Sequence, residues 1–156
     1  MSLQSVRDFL AEHAPDVPIL VTTTSTATVA LAAQAHGVTP GQIAKTLSLR
    51  LAGEVILLVM RGDARIHNRK YKERFGAKAK MLDAAEVLEA TGHPVGGVCP
   101  FGLAQPLRVY ADLSLRDFDE VVPAAGDTHA AVRIASQRLV QLARAEWVDV
   151  ADVSEA

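Results

Sequence analysis

Two eight-residue runs, Ala44–Leu51 and Glu54–Arg61, stand on either side of Ala52-Gly53. In the first, Lys45, Leu47, Leu49 and Leu51 alternate with Thr46, Ser48 and Arg50; the second contains Val55 to Met60, the longest apolar run of the chain. Alternation with a period of two is the mark of a strand, and a short connector containing glycine folds two such strands into an antiparallel hairpin. The fold has to be built outward from this ribbon. The leucine face of the first strand is expected to be buried, with Thr46, Ser48 and Arg50 on the outer face. Lys45 then stands at the end of the inward face, an unusual place for a lysine. Two accounts fit it: an amine that snorkels out where the strand ends, or an amine at the mouth of an apolar cavity that binds a phosphate or a carbonyl oxygen.

The remaining elements are read from periodicity and punctuation. Leu3, Val6, Phe9 and Leu10 share one face of a helix over 3–12, ended by Pro15 and Pro18. A short strand over Ile19–Thr22 precedes an alanine-rich helix over Thr28–His36, with Thr26 or Thr28 as N-cap and Gly37 as the stop. Asn68–Phe75 reads as a basic helix stopped by Gly76, and Asp83 with Glu86 as the capping box of a helix ending at Gly92. Strands are expected at Leu107–Ala111, Val121–Val122, Ala130–Ile134 and Trp147–Val150. Ser136 is expected to cap a last helix reaching about Ala145, and Ala151–Ala156 to be a frayed tail. Helices and strands interleave without a βαβ rhythm. The expected fold is therefore α/β of the α+β kind, one domain over 1–156 with a mixed sheet rather than a dinucleotide-binding fold.

Several classes drop out on composition. No apolar run approaches the ~20 residues of a membrane span, and the N-terminus lacks a basic segment followed by an apolar block, so neither a membrane association nor a secretory leader is expected. A single cysteine, Cys99, excludes an internal disulfide and suits the cytoplasm. His13, His36, His67, His93 and His129 are scattered without ligand spacing, so no metal and no cofactor is expected. The chain carries a net charge of −2, yet residues 61–80 hold eight basic side chains against Asp63 and Glu73. Such a run is either a solvated helix face or a local phosphate-binding patch. With only Tyr71 and Phe75 inside it, a base-stacking platform is not expected.

The stretch Gly92-His-Pro-Val-Gly-Gly-Val-Cys-Pro-Phe-Gly102 holds four glycines and two prolines. By composition alone it suits a structural turn. Set beside Lys45 it suits half of a site, in which backbone N–H groups stabilise the charge that builds on a carbonyl oxygen during ester hydrolysis. It lacks the Gly-Lys-Ser/Thr of a P-loop and leads into a strand, unlike a dinucleotide fingerprint. Cys99 is a possible nucleophile if His93 or His129 approaches in space, although a free cysteine is more commonly a small packing residue. His129 is expected near a cavity rim, as an exposed turn residue or a general base. Asp112 is either an ordinary strand-end cap or the group that orients the loop. No serine has a nucleophile-elbow context.

Taken together, Ile43-Ala44-Lys45-Thr46-Leu47, then Gly92-x-x-x-Gly96-Gly97-x-x-Pro100-Phe101-Gly102, then Asp112 and Gly126, resemble the YbaK/prolyl-tRNA-synthetase-associated editing domain family over about 18–145. The resemblance implies a compact domain with a barrel-like mixed sheet and surrounding helices. It implies an aminoacyl-tRNA deacylase that cleaves the ester of a mischarged tRNA, here in trans: tRNA-Pro carrying a small wrong amino acid, with a prolyl-tRNA synthetase as a possible partner. Position by position it implies that Lys45 contacts the terminal adenosine or its phosphate and that Gly96 and Pro100 belong to a Gly-x-x-x-Pro loop holding the ester. Gly97, Phe101 and Gly102 shape that loop, and His129 is placed with a histidine of some branches. Asparagine follows the lysine in some alanine-directed members, and Thr46 stands there instead. Two other readings are carried forward: a non-catalytic module binding tRNA or a synthetase through 61–80, and a small-molecule aminoacyl esterase.

Overall fold

The central hairpin forms where alternation and the Ala52-Gly53 connector require it, and the other elements assemble on it. Along residues 2 to 153, which the computed structural model describes, the order is α1 (Ser2–His13), β1 (Leu20–Val21), α2 (Val29–His36), β2 (Ile43–Leu51), β3 (Glu54–Arg61), β4 (Ala64–Ile66), α3 (Asn68–Phe75), α4 (Ala84–Thr91), β5 (Arg108–Asp112), β6 (Glu120–Pro123), β7 (Ala130–Ala131), β8 (Ile134–Ala135), α5 (Ser136–Ala143), β9 (Glu146–Val148) and β10 (Ala151–Val153). Local signals set most boundaries. Thr28 caps α2 by accepting from the Leu31 amide, Asp83 and Glu86 form the capping box of α4, and α2, α3 and α4 each end on a glycine.

Three expectations are corrected. Ser136 is the first residue of α5 rather than its cap; Ala135 holds the cap position and no side chain bonds there. The run 130–134 is not one strand. Ala130–Ala131 pairs with β1 and Ile134–Ala135 with β6, so the chain changes partner between them. Ala151–Val153 is not frayed but pairs antiparallel with β4. Both strands have three residues, too few to show a period, and their pairing spans most of the chain. The rest of the expected tail, 154–156, lies outside the described residues.

The main sheet is mixed, in the order β8-β6-β2-β3-β5-β9, and it curls into a half-barrel flanked by the helices. β2–β3 and β6–β8 are antiparallel, whereas β2–β6, β3–β5 and β5–β9 are parallel. Both faces are covered. Leu57, Val59, Val109 and Ala111 pack with Val6 and Leu10 of α1, Leu139 of α5 and Phe101. Leu49, Ile56, Leu58, Met60 and Tyr110 pack with Tyr71 of α3 and with Val148 and Val150. Double cover overturns the outer-face assignment on β2: Ser48 is 4% exposed and Thr46 only partly exposed.

One interruption in the sheet positions the site. β6 reaches β2 only at Ile43 and Ala44. The segment around Met81 joins the same edge further on, where the Arg50 amide donates to the Lys80 carbonyl (2.9 Å) and the Leu82 amide to the Ser48 carbonyl (3.2 Å). Between these contacts, at 45–47, the edge of β2 has no neighbouring strand among the described residues.

Candidate active site

At the gap lies a cavity of about 270 Å³. Lys45, Thr46, Leu47 and Ser48 form its floor, the Thr26-Ala27-Thr28 turn before α2 one wall, and Gly96 and Val98 of the glycine loop another. Met81, Val87, Ala124 and Ala130 complete it. The cavity is largely apolar, with few polar groups, the usual composition of a small-molecule site. Val95 and Met81, 58% and 56% exposed, stand at its rim.

Close contact fixes the glycine loop against this cavity. Gly96 has φ of +88°, and a Cβ there would come within 2.8 Å of the Ala27 Cβ. Gly97 donates to the Pro94 carbonyl and accepts from the Gly126 amide, both at 2.9 Å, and a Cβ on it would lie 2.7 Å from the Asp127 nitrogen. The Gly97 amide is thus engaged within the loop and faces no ligand. The amides of Gly96 and Val98, both on the cavity wall, have no hydrogen-bond partner among the described residues. Of the expected loop residues, Gly96 reaches the cavity, while Gly97, Pro100, Phe101 and Gly102 do not line it. Phe101 is fully buried and stacks on Phe9, with ring centroids 5.7 Å apart, and Gly102 accepts from the Ser5 hydroxyl of α1 at 2.8 Å. These residues brace the loop from behind.

Cys99 and His93 meet inside that brace. His93 Nε2 is 3.8 Å from Cys99 Sγ and 2.7 Å from the Phe101 carbonyl oxygen, and both side chains have no exposed surface. A carbonyl partner calls for a proton on Nε2, so that nitrogen is a donor and not a base toward the thiol. Burial pushes the Cys99 thiol up to about 12 and moves the His93 imidazole below its ordinary value. The pair is therefore a neutral structural contact. Iodoacetamide at pH 8 is expected to leave Cys99 unmodified in the native protein and to label it fully in denaturant; rapid native labelling would contradict this. A raised thiol value also fixes the sign of the pH effect. The stability tied to this thiol is complete below its ordinary value of 9.0 and is lost as pH rises toward about 12.

Lys45 lies on the opposite face of β2 from Thr46 and Ser48, paired across the hairpin with Met60. Its ammonium donates to the Ala64 carbonyl. Burial moves its pKa below the ordinary lysine value, the Asp63 carboxylate pulls the other way, and Arg65 adds to the lowering. Lys45 thus lines the cavity as a half-buried residue whose ammonium is held at the Ala64 carbonyl.

Asp112 is corrected from a candidate loop-orienting or substrate-binding residue to a structural one. It is 1% exposed and does not line the cavity. Its carboxylate accepts from the amides of Ser114 (2.9 Å), Val150 (2.8 Å) and Ala151 (3.0 Å) and so ties the end of β5 to the start of β10. His129 is partly exposed, with Nδ1 2.9 Å from the Thr128 hydroxyl, and stands beside the cavity residue Ala130 rather than in the wall. Ser48, Ala27 and Met81 were not expected at the site. Ser48 is visible in sequence only as the alternate of Thr46; Met81 arrives through a single long-range bridge that no pattern announces.

The basic run is less uniform than its composition. Arg61 pairs with Asp63 and, at 2.8 Å, with Asp117; Lys70 pairs with Asp149 at 3.1 Å, Arg74 with Glu146 and Arg69 with Glu73. Among the described residues Arg65, Lys72, Lys78 and Lys80 have no ion-pair partner. Lys80 stands next to the cavity-rim residue Met81. No cluster of His, Cys, Asp and Glu that could hold a metal ion occurs, and no helix is long and apolar enough to cross a membrane, among the described residues.

The profile of the aminoacyl-tRNA editing domain matches residues 23–142. A Bacillus subtilis protein described as uncharacterized protein YwhH is 45% identical over 152 residues, covering 96% of this chain and 97% of its own. The proline–tRNA ligase of Citrifermentans bemidjiense is 38% identical over 96 residues, and the match spans 60% of this chain but only 17% of that ligase. Among solved structures, a candidate trans-editing enzyme for prolyl tRNA synthetase superimposes with a TM-score of 0.88 at 30% identity, covering 97% of each chain.

Proposed function

This chain belongs to the aminoacyl-tRNA editing domain family, and we propose that it hydrolyses, in trans, the ester linking a small wrong amino acid to the 3′ end of tRNA-Pro. The observation that carries the reading is the cavity at the open edge of β2, where Lys45 and Thr46 meet the loop at Gly96. The similarity to proline–tRNA ligases over 96 residues, and to a candidate trans-editing structure over nearly the whole chain, supports tRNA-Pro as the carrier and action in trans.

Each part of the cavity has a task in that reaction. At about 30 Å³ per water, the space holds roughly nine waters, enough for a small aminoacyl group and little more. That size favours small aminoacyl groups over bulky ones. The unengaged amides of Gly96 and Val98 are placed to polarise an ester carbonyl as it gains negative charge. Lys45 adds a fixed positive charge beside them, for the oxyanion or the terminal phosphate. An aminoacyl ester is already activated, so positioning and charge stabilisation suffice and no protein nucleophile is needed. Water, or a hydroxyl of the substrate, attacks. The unpaired cations Arg65, Lys72, Lys78 and Lys80 suit contact with the acceptor end.

The reading is tested by comparing release of one amino acid from mischarged tRNA with its release from the free ethyl ester. Turnover is expected to favour the tRNA-linked form and to fall steeply with added salt, as phosphate contacts require. Equal rates on both, insensitive to salt, would mark a small-molecule esterase; tRNA binding without turnover would mark a binding module.

A further inference from the structure

The chain passes from β3 to β4 through Gly62 and Asp63. Arg61 closes this turn. Its Nε and Nη2 donate to the two Asp63 carboxylate oxygens, at 2.5 and 2.8 Å, and its Nη1 donates to the Asp117 carboxylate at 2.8 Å. A forked guanidinium–carboxylate pair fixes orientation as well as distance. The guanidinium also lies over the Phe118 ring, 5.0 Å from its centroid. Backbone packs closely against the same turn. A Cβ on Gly62 would come within 2.2 Å of the Pro40 carbonyl oxygen, and one on Gly41 within 2.7 Å of Arg61 Nη2 and 3.2 Å of Asp63 Oδ2. Past the turn, Ala64 is paired with Val153 of β10.

The turn ends on Ala64, whose carbonyl receives the Lys45 ammonium. Among the described residues no other acceptor bonds that ammonium, so two of its three N–H groups are left for water or a ligand. Exposed ion pairs as a rule contribute little to stability. The Arg61–Asp63 pair differs in what it holds, because the position of the Ala64 carbonyl decides where the lysine's charge stands. Asp63 also acts on that charge through space: burial moves the Lys45 pKa below its ordinary value, the Asp63 carboxylate opposes this, and Arg65 adds to it. Arg61 and Asp117 are engaged in the fork behind Asp63. The other neighbours bring no charge. Met60 faces Lys45 across the hairpin, the cavity walls at 26–28 and Gly96 are neutral, and burial keeps the Tyr71 phenol, packed with Met60 and Ala64, in its neutral form.

We infer that Asp63 is a positioning residue for Lys45: forked to Arg61, it fixes the β3–β4 turn so that the Ala64 carbonyl holds the ammonium where the reaction uses it. The inference rests on the editing reading, in which Lys45 supplies a fixed positive charge. Asp63 does not line the cavity and touches no substrate there.

The test follows the Lys45 Cε resonance of the lysine-labelled full chain through a pH titration, the signal being assigned by its loss in Lys45→Ala. Single-turnover release from mischarged tRNA-Pro is measured beside it at neutral pH. Asp63→Asn, checked by thermal melting, is expected to lower the Lys45 midpoint by about 0.5–1 pH unit, because a favourable negative charge is lost. It is also expected to slow release about tenfold, within the loss that misplacing a catalytic group brings. Asp117→Asn removes the other carboxylate from the same arginine and is expected to leave the midpoint and the rate at their wild-type values. If Asp63→Asn does not fold, Gly41→Ala takes its place: it keeps every charge, pushes on the fork, and is expected to slow release by several-fold. An Asp63→Asn midpoint equal to the wild type would overturn the inference, as would a shifted midpoint with unchanged release, equal effects of Asp117→Asn, or, where it is the variant used, wild-type release by Gly41→Ala. If the wild type releases nothing, the editing reading fails, and the titration still decides whether Asp63 governs the ammonium.

Discussion

Replacing Lys45 by alanine is expected to slow deacylation by about 10²–10³-fold, the usual loss when a single preorganised charge-stabilising group is removed from an ester-hydrolysing site. The fold should survive. β2 is held to β3 by an unbroken backbone ladder from Ala44 to Leu51, and Lys45 adds to it one bond, to the Ala64 carbonyl. Lys45→Ala should therefore melt within a few degrees of the wild type while losing turnover. Burial disfavours the charged ammonium, and the structure keeps the amine half-buried at the Ala64 carbonyl despite that penalty. A folded Lys45→Ala protein with wild-type turnover would remove the lysine from the chemistry and leave only the backbone amides.

The second large effect falls on stability and not on the cavity. Asp112 satisfies three amides from two distant segments, and it is buried. Asp112→Ala leaves the Ser114, Val150 and Ala151 donors unpaired. Each such loss costs about 1–3 kcal/mol, about 3–9 kcal/mol in all, and the lower part of that range, about 3–5 kcal/mol, is expected because Ser114 is only partly buried and water can reach it. For a chain of this size that lowers the melting temperature by roughly 10–15 °C. At a temperature where the variant remains folded, its turnover should stay near the wild-type value, because the carboxylate is not in the cavity wall. A melting point unchanged by Asp112→Ala, with turnover lost, would return Asp112 to the site.

These two residues also mark what could be read from sequence. Lys45 was legible because strand alternation is local: its period sets a lysine among leucines, and no tertiary knowledge is needed to find that odd. Helix ends were legible for the same reason, since Thr28, Asp83 with Glu86, and the closing glycines act within a few residues of themselves. Asp112 was left between a strand-end cap and a loop-orienting group: its cap bond to Ser114 is local, but its other partners, Val150 and Ala151, are 38 and 39 residues away, at the start of a strand three residues long. Thr46 and Ser48 were assigned to an outer face because alternation separates two faces without saying whether the second is also covered. That depends on the glycine loop and on the turn before α2, which close over β2 from distant parts of the chain. The loop itself was recognised as special by composition, but which of its residues line the cavity was not: Gly97 is tied to Pro94 and Gly126, and Gly96 and Val98 form the wall.

The central claim is hydrolysis of an aminoacyl-tRNA ester at the Lys45–Gly96 cavity. Its most direct test is the single-turnover release of labelled amino acid from mischarged tRNA-Pro by excess purified protein, run beside Lys45→Ala and buffer alone. Release by the wild type well above buffer, and by Lys45→Ala close to buffer, is the predicted result. A wild-type trace that overlays buffer for every small amino acid tried would contradict it.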